Sequence, residues 1–407
     1  MFQKKAKLIV IFGATILIVL ASVVLMTQGH RFKYTMRELS VEPAKSEVDT
    51  DGLSIVGFWY DSTSDKEGLY LANQSDLLEI FYCPKDGGPG EKSLIYRSPF
   101  PVEAYQTFAV DNCMLLLEMY KYADGKMNFD ITRIGYDKDF KNVEKVFSDQ
   151  CDKFPYLCVT KLYNKEPFFK ADSVTAQLEE RVIVNYDNNG KSYLVLLSKY
   201  FGPGNENIIV NTGTYEYFEG GNLASGKRII FCGGYGDYIY YQVVYNKILD
   251  PHPEVANFES HGTPILYRYH VGTEAVENIM TMDKLALHIN ANNKILLVSE
   301  YDYHTPLIDS GKIISLDDRN KYFIIPGIES GADIKESRFI SENQLVFYTP
   351  KMLYFADLEK SVIYTYKLDG VTSIQLNNTG VSFTKPKPGH DNTMLYYTMS
   401  YESIFGK

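Results

Sequence analysis

The sequence predicts an all-β chain closed into a β-propeller behind a single N-terminal transmembrane helix. Three observations carry that reading. Beyond residue 52 the chain is a succession of short apolar or alternating segments rich in Val, Ile, Tyr and Phe, punctuated by Gly, Asn, Asp and Pro. These segments group in fours, in blocks starting near Leu53, Ala104, Tyr156, Thr214, Asp283, Ala332 and Val371, a spacing of about fifty residues that suits a four-stranded blade. Ahead of them, residues 8–26 hold no charge.

That first element, "LIVIFGATILIVLASVVLM", reaches about 28 Å as a helix, enough to cross a bilayer. Lys4, Lys5 and Lys7 precede it, and the following "MTQGHRF" has no small-x-small cleavage site. An uncleaved signal anchor is expected, with residues 1–7 as a short basic cytoplasmic head and 8–26 as the membrane span. The three lysines are matched by Arg31, Lys33 and Arg37 on the other side, so the positive-inside count is level. The shortness of the head then decides the orientation, placing residues 30–407 outside the cytoplasm at the cell membrane. Residues 27–51 show no apolar periodicity and contain Pro43, and they read as a stalk or linker to a propeller domain at 52–407.

The strands follow in order: "LSIVGFWY", "CMLLLEMYKY", "MNFDITRIGY", "RVIVNYD" with "SYLVLLSKY", "KILLVSEYDY", "QLVFYTP" with "MLYFADL", "SVIYTYKL" and "TMLYYTM". "DNNGK" at 187–191 joins two of them through residues that accept the positive φ of a tight hairpin. After residue 30 no stretch keeps a helical period over three turns; "DSVTAQLEER" at 172–181 is the nearest and is short. So much sheet needs closure, because an open sheet exposes its edges, and radial repetition provides it. Seven blades is the count favoured, with six or eight as the neighbouring counts and two stacked β-sandwiches as the alternative architecture. The fourth block is lengthened by "ILDPHPEVANFESHGTP" at 248–264, and the last block is short. Its final strand is expected to close the ring on the first block near Leu53.

Charge restricts the partners. All six charged residues up to residue 37 are basic, leaving 35 basic against 51 acidic residues beyond it, a net charge of −16. Such a surface repels phosphodiester backbones and anionic lipid headgroups, which argues against nucleic acid as a partner and against a polybasic membrane contact. Five cysteines are too few for a disulfide scaffold, and an odd number cannot pair fully within one chain. Cys151 with Cys158 in "CDKFPYLC" is the nearest pair, Cys83 with Cys113 a second, and Cys232 reads as a buried thiol; the connectivity stays open. There is no CxxC and no HExxH, so neither metal nor cofactor is expected.

Residues 220–247, "GGNLASGKRIIFCGGYGDYIYYQVVYNK", carry three motifs. Gly221, Gly226 and Lys227 have phosphate-loop spacing, but Arg228 stands where Ser or Thr would hold magnesium, and the β-branched "RIIFC" that follows offers no helix N-terminus to an anion. The stretch "RIIFCGGYGDYIYYQVVYN" resembles a kelch repeat, with an apolar strand, Gly233 and Gly234, and Tyr245 in the next strand. That resemblance covers one block and implies a blade of the β-propeller superfamily. Tyr238 and Tyr240 fall on one face of a strand and Tyr241 and Tyr245 on the other, so the tyrosines pack between blades and do not form one platform. Gly233 to Gly236 are read as the turn, with Tyr235 and Asp237 facing solvent. "SLDDRNKYF" at 315–323 resembles the Asp-box turn of sialidases at Ser315 and Asp317, but has Arg319 in place of Gly and Tyr322 in place of Trp. "VDTDGLS" hints at calcium through Asp49 and Asp51 and lacks the later acidic ligand.

Candidate ligand-binding residues are therefore Tyr235 and Asp237 at the turn, with His252, His261, Asp302 and His304 in the insertion and nearby hairpins, since loops on a rigid ring carry binding side chains. No catalytic motif accompanies them. The expected function is a membrane-anchored extracytoplasmic binding module for a protein, peptide or envelope glycan; the alternative is an extracellular polysaccharide hydrolase or lyase on the same scaffold.

Overall fold

The computed structural model describes residues 33–406 except 62–65, 86–90, 111–112, 123–124, 136–142, 153, 164–177, 190, 198–206, 215, 218–222, 249–257, 260–264, 282–284, 293, 302–309, 318–321, 327–333 and 378. The head and apolar run at 1–26 lie outside the described residues, among which no helix is long and apolar enough to cross a membrane.

Two strands precede the expected domain, β1 (Thr35–Glu38) and β2 (Ala44–Asp49). Next come β3 (Ser54–Asp61), β4 (Lys66–Gln74), β5 (Leu78–Pro84) and β6 (Ser93–Arg97), then β7 (Ala104–Val110), β8 (Cys113–Lys121), β9 (Met127–Gly135) and β10 (Val143–Gln150). The middle holds β11 (Tyr156–Tyr163), β12 (Leu178–Asn188), β13 (Lys191–Leu197), β14 (Asn207–Thr214), β15 (Glu216–Tyr217), β16 (Leu223–Gly236), β17 (Tyr238–Ile248), β18 (Phe258–Glu259), β19 (Ile265–His270) and β20 (Val276–Thr281). The remainder is β21 (Leu285–Ala291), β22 (Ile295–Tyr301), β23 (Ser310–Ser315), β24 (Tyr322–Ile324), β25 (Glu336–Ser341), β26 (Gln344–Tyr348), β27 (Met352–Asp357), β28 (Val362–Lys367), β29 (Ser373–Leu376), β30 (Gly380–Pro386), β31 (Thr393–Ser400) and a closing helix α1 (Tyr401–Phe405).

The strands run in antiparallel meanders, β3–β6, β7–β10, β11–β14, β16–β20, β21–β24, β25–β28 and β29–β31, and the first strand of each lies innermost. Packing runs from first strand to first strand: β3 meets β7, β7 meets β11, β11 meets β16, β16 meets β21, β25 meets β29 and β29 meets β3. Asn290 of β21 closes the remaining step by donating to the carbonyl and hydroxyl oxygens of Ser337 on β25, at 3.0 and 2.9 Å. The first strands therefore run in a closed circuit, which makes the chain an all-β β-propeller. Apolar clusters fill the seams, one between each pair of neighbouring meanders. Alternation explains this: Leu115 and Leu117 of β8 face one neighbour while Met114 and Leu116 face the other.

Hydrogen bonding gathers the described strands into six sheets, not the seven expected. The reason is local. Lys161 and Leu162 of β11 pair in parallel with Tyr235 and Gly236 of β16, which fuses the meanders β11–β14 and β16–β20 into one ten-stranded sheet.

Closure also departs from expectation. The outer partner of β31 is not the Leu53 region but β2, in register from Ala44 opposite Thr398 to Asp49 opposite Thr393. Residues 35–49, expected in a stalk, are thus part of the ring. The sequence signal was a single residue, Val48, which is buried among Phe58, Leu69 and Tyr396. β1 adds in parallel to the outer edge of β28, Thr35 opposite Val362.

The diglycine is not the turn. Tyr235 pairs with Tyr238, leaving Gly236 and Asp237 as the hairpin loop, and Gly233 lies inside β16 at a bulge with φ of 123°. A Cβ there would sit 2.7 Å from the amide nitrogen of Ala291, so glycine admits the close approach of β21. The Asn-Gly hairpin forms as expected, with Asn189 at φ 51°. Cys83 and Cys151 are buried free thiols, and so is Cys232, which excludes the two pairings proposed from spacing. Burial pushes the Cys151 thiol up to about 12.

Candidate functional site

Of the expected site residues, Tyr235 and Asp237 are described. Tyr235 is 4% exposed and packs with Ile295, Leu297 and Ile334, so it serves the core and does not meet solvent. Asp237 is half-buried, and its carbonyl oxygen accepts the Val271 N–H at 2.9 Å. His252, His261, Asp302 and His304 lie outside the described residues. The calcium hint is used internally: the Asp49 carboxylate accepts the Asp51 N–H at 2.9 Å, and Asp51 pairs with the Lys92 ammonium. No cluster of metal-ligating side chains exists among the described residues.

The inner circuit is held by polar contacts between first strands. The Phe58 N–H donates to Gln375 Oε1 at 2.9 Å, the Thr107 hydroxyl donates to the Val56 carbonyl, and Arg338 Nη1 donates to the Leu376 carbonyl at 3.0 Å. On the same face of β25 as Arg338, the enclosed carboxyl of Glu336 takes the Leu376 N–H. Burial pushes that carboxyl up to about 8, although the residue as a whole is only half-buried. An acid and an arginine thus lie on an innermost strand, as a polysaccharide-cleaving centre would require. Both are engaged by the backbone of one residue of the neighbouring strand, Arg338 by the Leu376 carbonyl and Glu336 by the Leu376 N–H, and that is a clamp.

A different group reaches solvent. The segment between β6 and β7 carries Phe100 between Pro99 and Pro101, and the end of β8 carries Glu118 and Tyr120 on one face, with Tyr122 just beyond it. Phe100 stacks on Tyr120 with ring centroids 5.5 Å apart, and Tyr122 meets Tyr120 edge-on at 5.2 Å. Phe100 and Tyr122 are 44% and 48% exposed, whereas Tyr120 between them is buried. The three rings form a ledge across the seam between the first two meanders.

Beneath the ledge lies an acidic pair. Glu118 and Asp130 oppose each other in the β8–β9 register and both are buried. Directly opposed carboxylates repel, and three partners offset the repulsion. Tyr96 donates to Glu118 Oε2 at 2.6 Å, Ser148 donates to Asp130 Oδ1 at 2.7 Å, and the Lys145 ammonium stands 2.5 Å from Asp130 Oδ2. Burial raises the Glu118 carboxyl above the usual carboxylate range, with the Tyr96 hydrogen bond acting against it. Burial likewise raises the Tyr96 and Tyr120 phenols, which stay protonated donors at neutral pH. The network locks β8, β9 and β10 to β6 and so fixes the base of Tyr120. Chemically the arrangement stacks and hydrogen-bonds: Glu118 Oε2 and both Asp130 oxygens are taken by Tyr96, Ser148 and Lys145, and Glu118 Oε1 is buried without a hydrogen-bond partner.

Sequence reasoning missed Phe100, Glu118, Tyr120 and Tyr122. The available signal was an aromatic flanked by prolines in an interstrand segment, together with Glu118, Tyr120 and Tyr122 recurring at period two at a strand end.

No protein-family profile and no curated protein matches the chain. Among solved structures it is similar to the WD40 domain of Neurospora crassa Pan2, at 9% identity over 89% of this chain and 97% of that one, with a TM-score of 0.42. It is also similar to YCF48 bound to D1 peptide, at 9% identity over 90% of this chain and 100% of that one, TM-score 0.42. A third is a polysaccharide lyase of family PL25, an ulvan lyase, at 9% identity over 89% and 99% of the two chains, TM-score 0.46. The fold itself rests on the closed circuit of first strands, and on that ground the chain is a β-propeller.

Proposed function

We propose that this protein is a membrane-anchored, extracytoplasmic β-propeller that binds a protein, peptide or envelope glycan at the Phe100–Tyr120–Tyr122 ledge. The observation that carries the reading is the exposure of two large aromatic rings on a support that is fully packed beneath them. Exposed aromatics held rigid in this way lose little conformational freedom on binding and offer flat faces to a sugar ring or an apolar side chain. The anchor is supported by the uncharged run at 8–26, and the acidic surface beyond it argues for partners other than nucleic acid. We read the ten-stranded sheet as two blades, giving seven, because its halves are joined by only two paired residues and each packs its own seam. His252, His261, Asp302 and His304 remain proposed as a second group of ligand contacts.

The test compares full-length protein with a Phe100→Ala/Tyr122→Ala variant against envelope extract and a panel of immobilised oligosaccharides and peptides. Because both rings are half exposed, the variant should keep its melting temperature while losing retention of the ligand. Equal retention by the two proteins would remove the ledge as the site.

A further inference from the structure

The place where the chain leaves the ring fixes which side of the molecule faces its membrane. Tyr34, just ahead of β1, rests edge-on against Phe323 of β24 with centroids 4.8 Å apart, and Met36 packs into the same seam. The Thr35 N–H donates to the Ser361 carbonyl at 2.9 Å. The chain therefore emerges at the outer edge of the seam between β21–β24 and β25–β28. Only residues 27–33 separate this point from the end of the apolar run at Met26, and seven residues span at most about 24 Å when fully extended. That tether is too short to carry the far rim to the bilayer. Beside Phe323, β24 presents Ile324, 42% exposed. A lone exposed aliphatic is ordinary on a protein surface; here it stands next to a Tyr–Phe pair at the tether, and such aromatic groups favour the water–hydrocarbon boundary.

We propose that the outer edge formed by β24 and β1 rests on the headgroup layer of the bilayer that holds residues 8–26. The inference builds on the anchored reading above. Passing from first strand to first strand, the seam between β3 and β7 lies across the circuit from the seam between β21 and β25. The aromatic ledge then points away from the membrane, toward material in the envelope.

Full-length protein in lipid vesicles tests this, using Ile324→Cys and, on the far rim, Val143→Cys of β10, which is equally exposed at 42%. Each is labelled with bimane, with unsubstituted protein as the blank, since Cys83, Cys151 and Cys232 are buried. Headgroup spin-labelled lipid should extinguish most of the fluorescence at 324 and leave 143 unchanged, while alkaline carbonate should leave the protein with the vesicles. If carbonate strips the protein off, the anchored reading and this inference fall together. Should the protein remain bound and both positions keep their fluorescence, the inference alone is overturned. It is also overturned if 324 is shielded from an aqueous quencher yet untouched by the lipid quencher, because another protein surface would then cover it.

Discussion

At the scale of single residues, the ring depends on positions where one atom decides the fit. Gly233 is one. Its φ of 123° and the 2.7 Å approach of the Ala291 amide leave no room for a Cβ. Gly233→Ala should lower stability by about 1–3 kcal/mol, read as a fall in the urea midpoint with an unchanged slope. Glu336 is another. Its carboxyl holds a proton up to about pH 8 in the folded protein, against about 4.3 in an unfolded chain. The folded state therefore binds this proton more tightly, and the stabilisation is full below about pH 4 and fades as pH rises through 8. Glu336→Gln, which mimics the neutral acid, should match the natural protein in melting temperature at about pH 4 and exceed it at about pH 9; parallel pH profiles would refute the assignment. The diglycine was conspicuous in the sequence, but its purpose was not. A close approach between strands far apart in sequence leaves no local trace, so turn chemistry was the natural and mistaken reading.

At the scale of elements, the N-terminal clasp is the least legible part of the fold. β2 has one buried apolar side chain, Val48, and β1 is four residues long, so neither shows the periodicity by which the other strands declared themselves. Both are held by partners more than 300 residues away. A chain beginning at residue 33 should fold and unfold cooperatively, whereas one beginning at residue 50 leaves the β31 edge bare and removes Val48, a side chain whose burial contributes roughly 1.5–3 kcal/mol. Denaturant unfolding followed by tyrosine fluorescence should show a lower midpoint and a broadened transition for the shorter chain. Equal curves would mean that the clasp contributes nothing. The strands of the remaining meanders were legible because burial on alternating faces, or on both, imprints directly on the sequence: "CMLLLEMYKY" holds β8, buried on both faces along most of its length.

At the scale of the whole molecule, sheet closure was foreseeable because so much strand could not be left with open edges, but the seam contacts that decide how sheets are counted were not. The fusion of two meanders turns on Lys161 and Leu162 meeting Tyr235 and Gly236, a juxtaposition of segments about seventy residues apart that only the closed ring produces. The same holds for the site. Phe100 lies in the connection between the first two meanders and Tyr120 on β8 of the second, and the two become one surface only when the chain folds back on itself there. The central claim is that this seam is where a partner docks. Hydrogen–deuterium exchange of the full-length protein, alone and with its captured ligand, tests it most directly: protection should appear over residues 98–103 and 120–127. Protection confined to 249–264 and 302–309, around His252, His261, Asp302 and His304, would contradict the ledge and move the site to those loops.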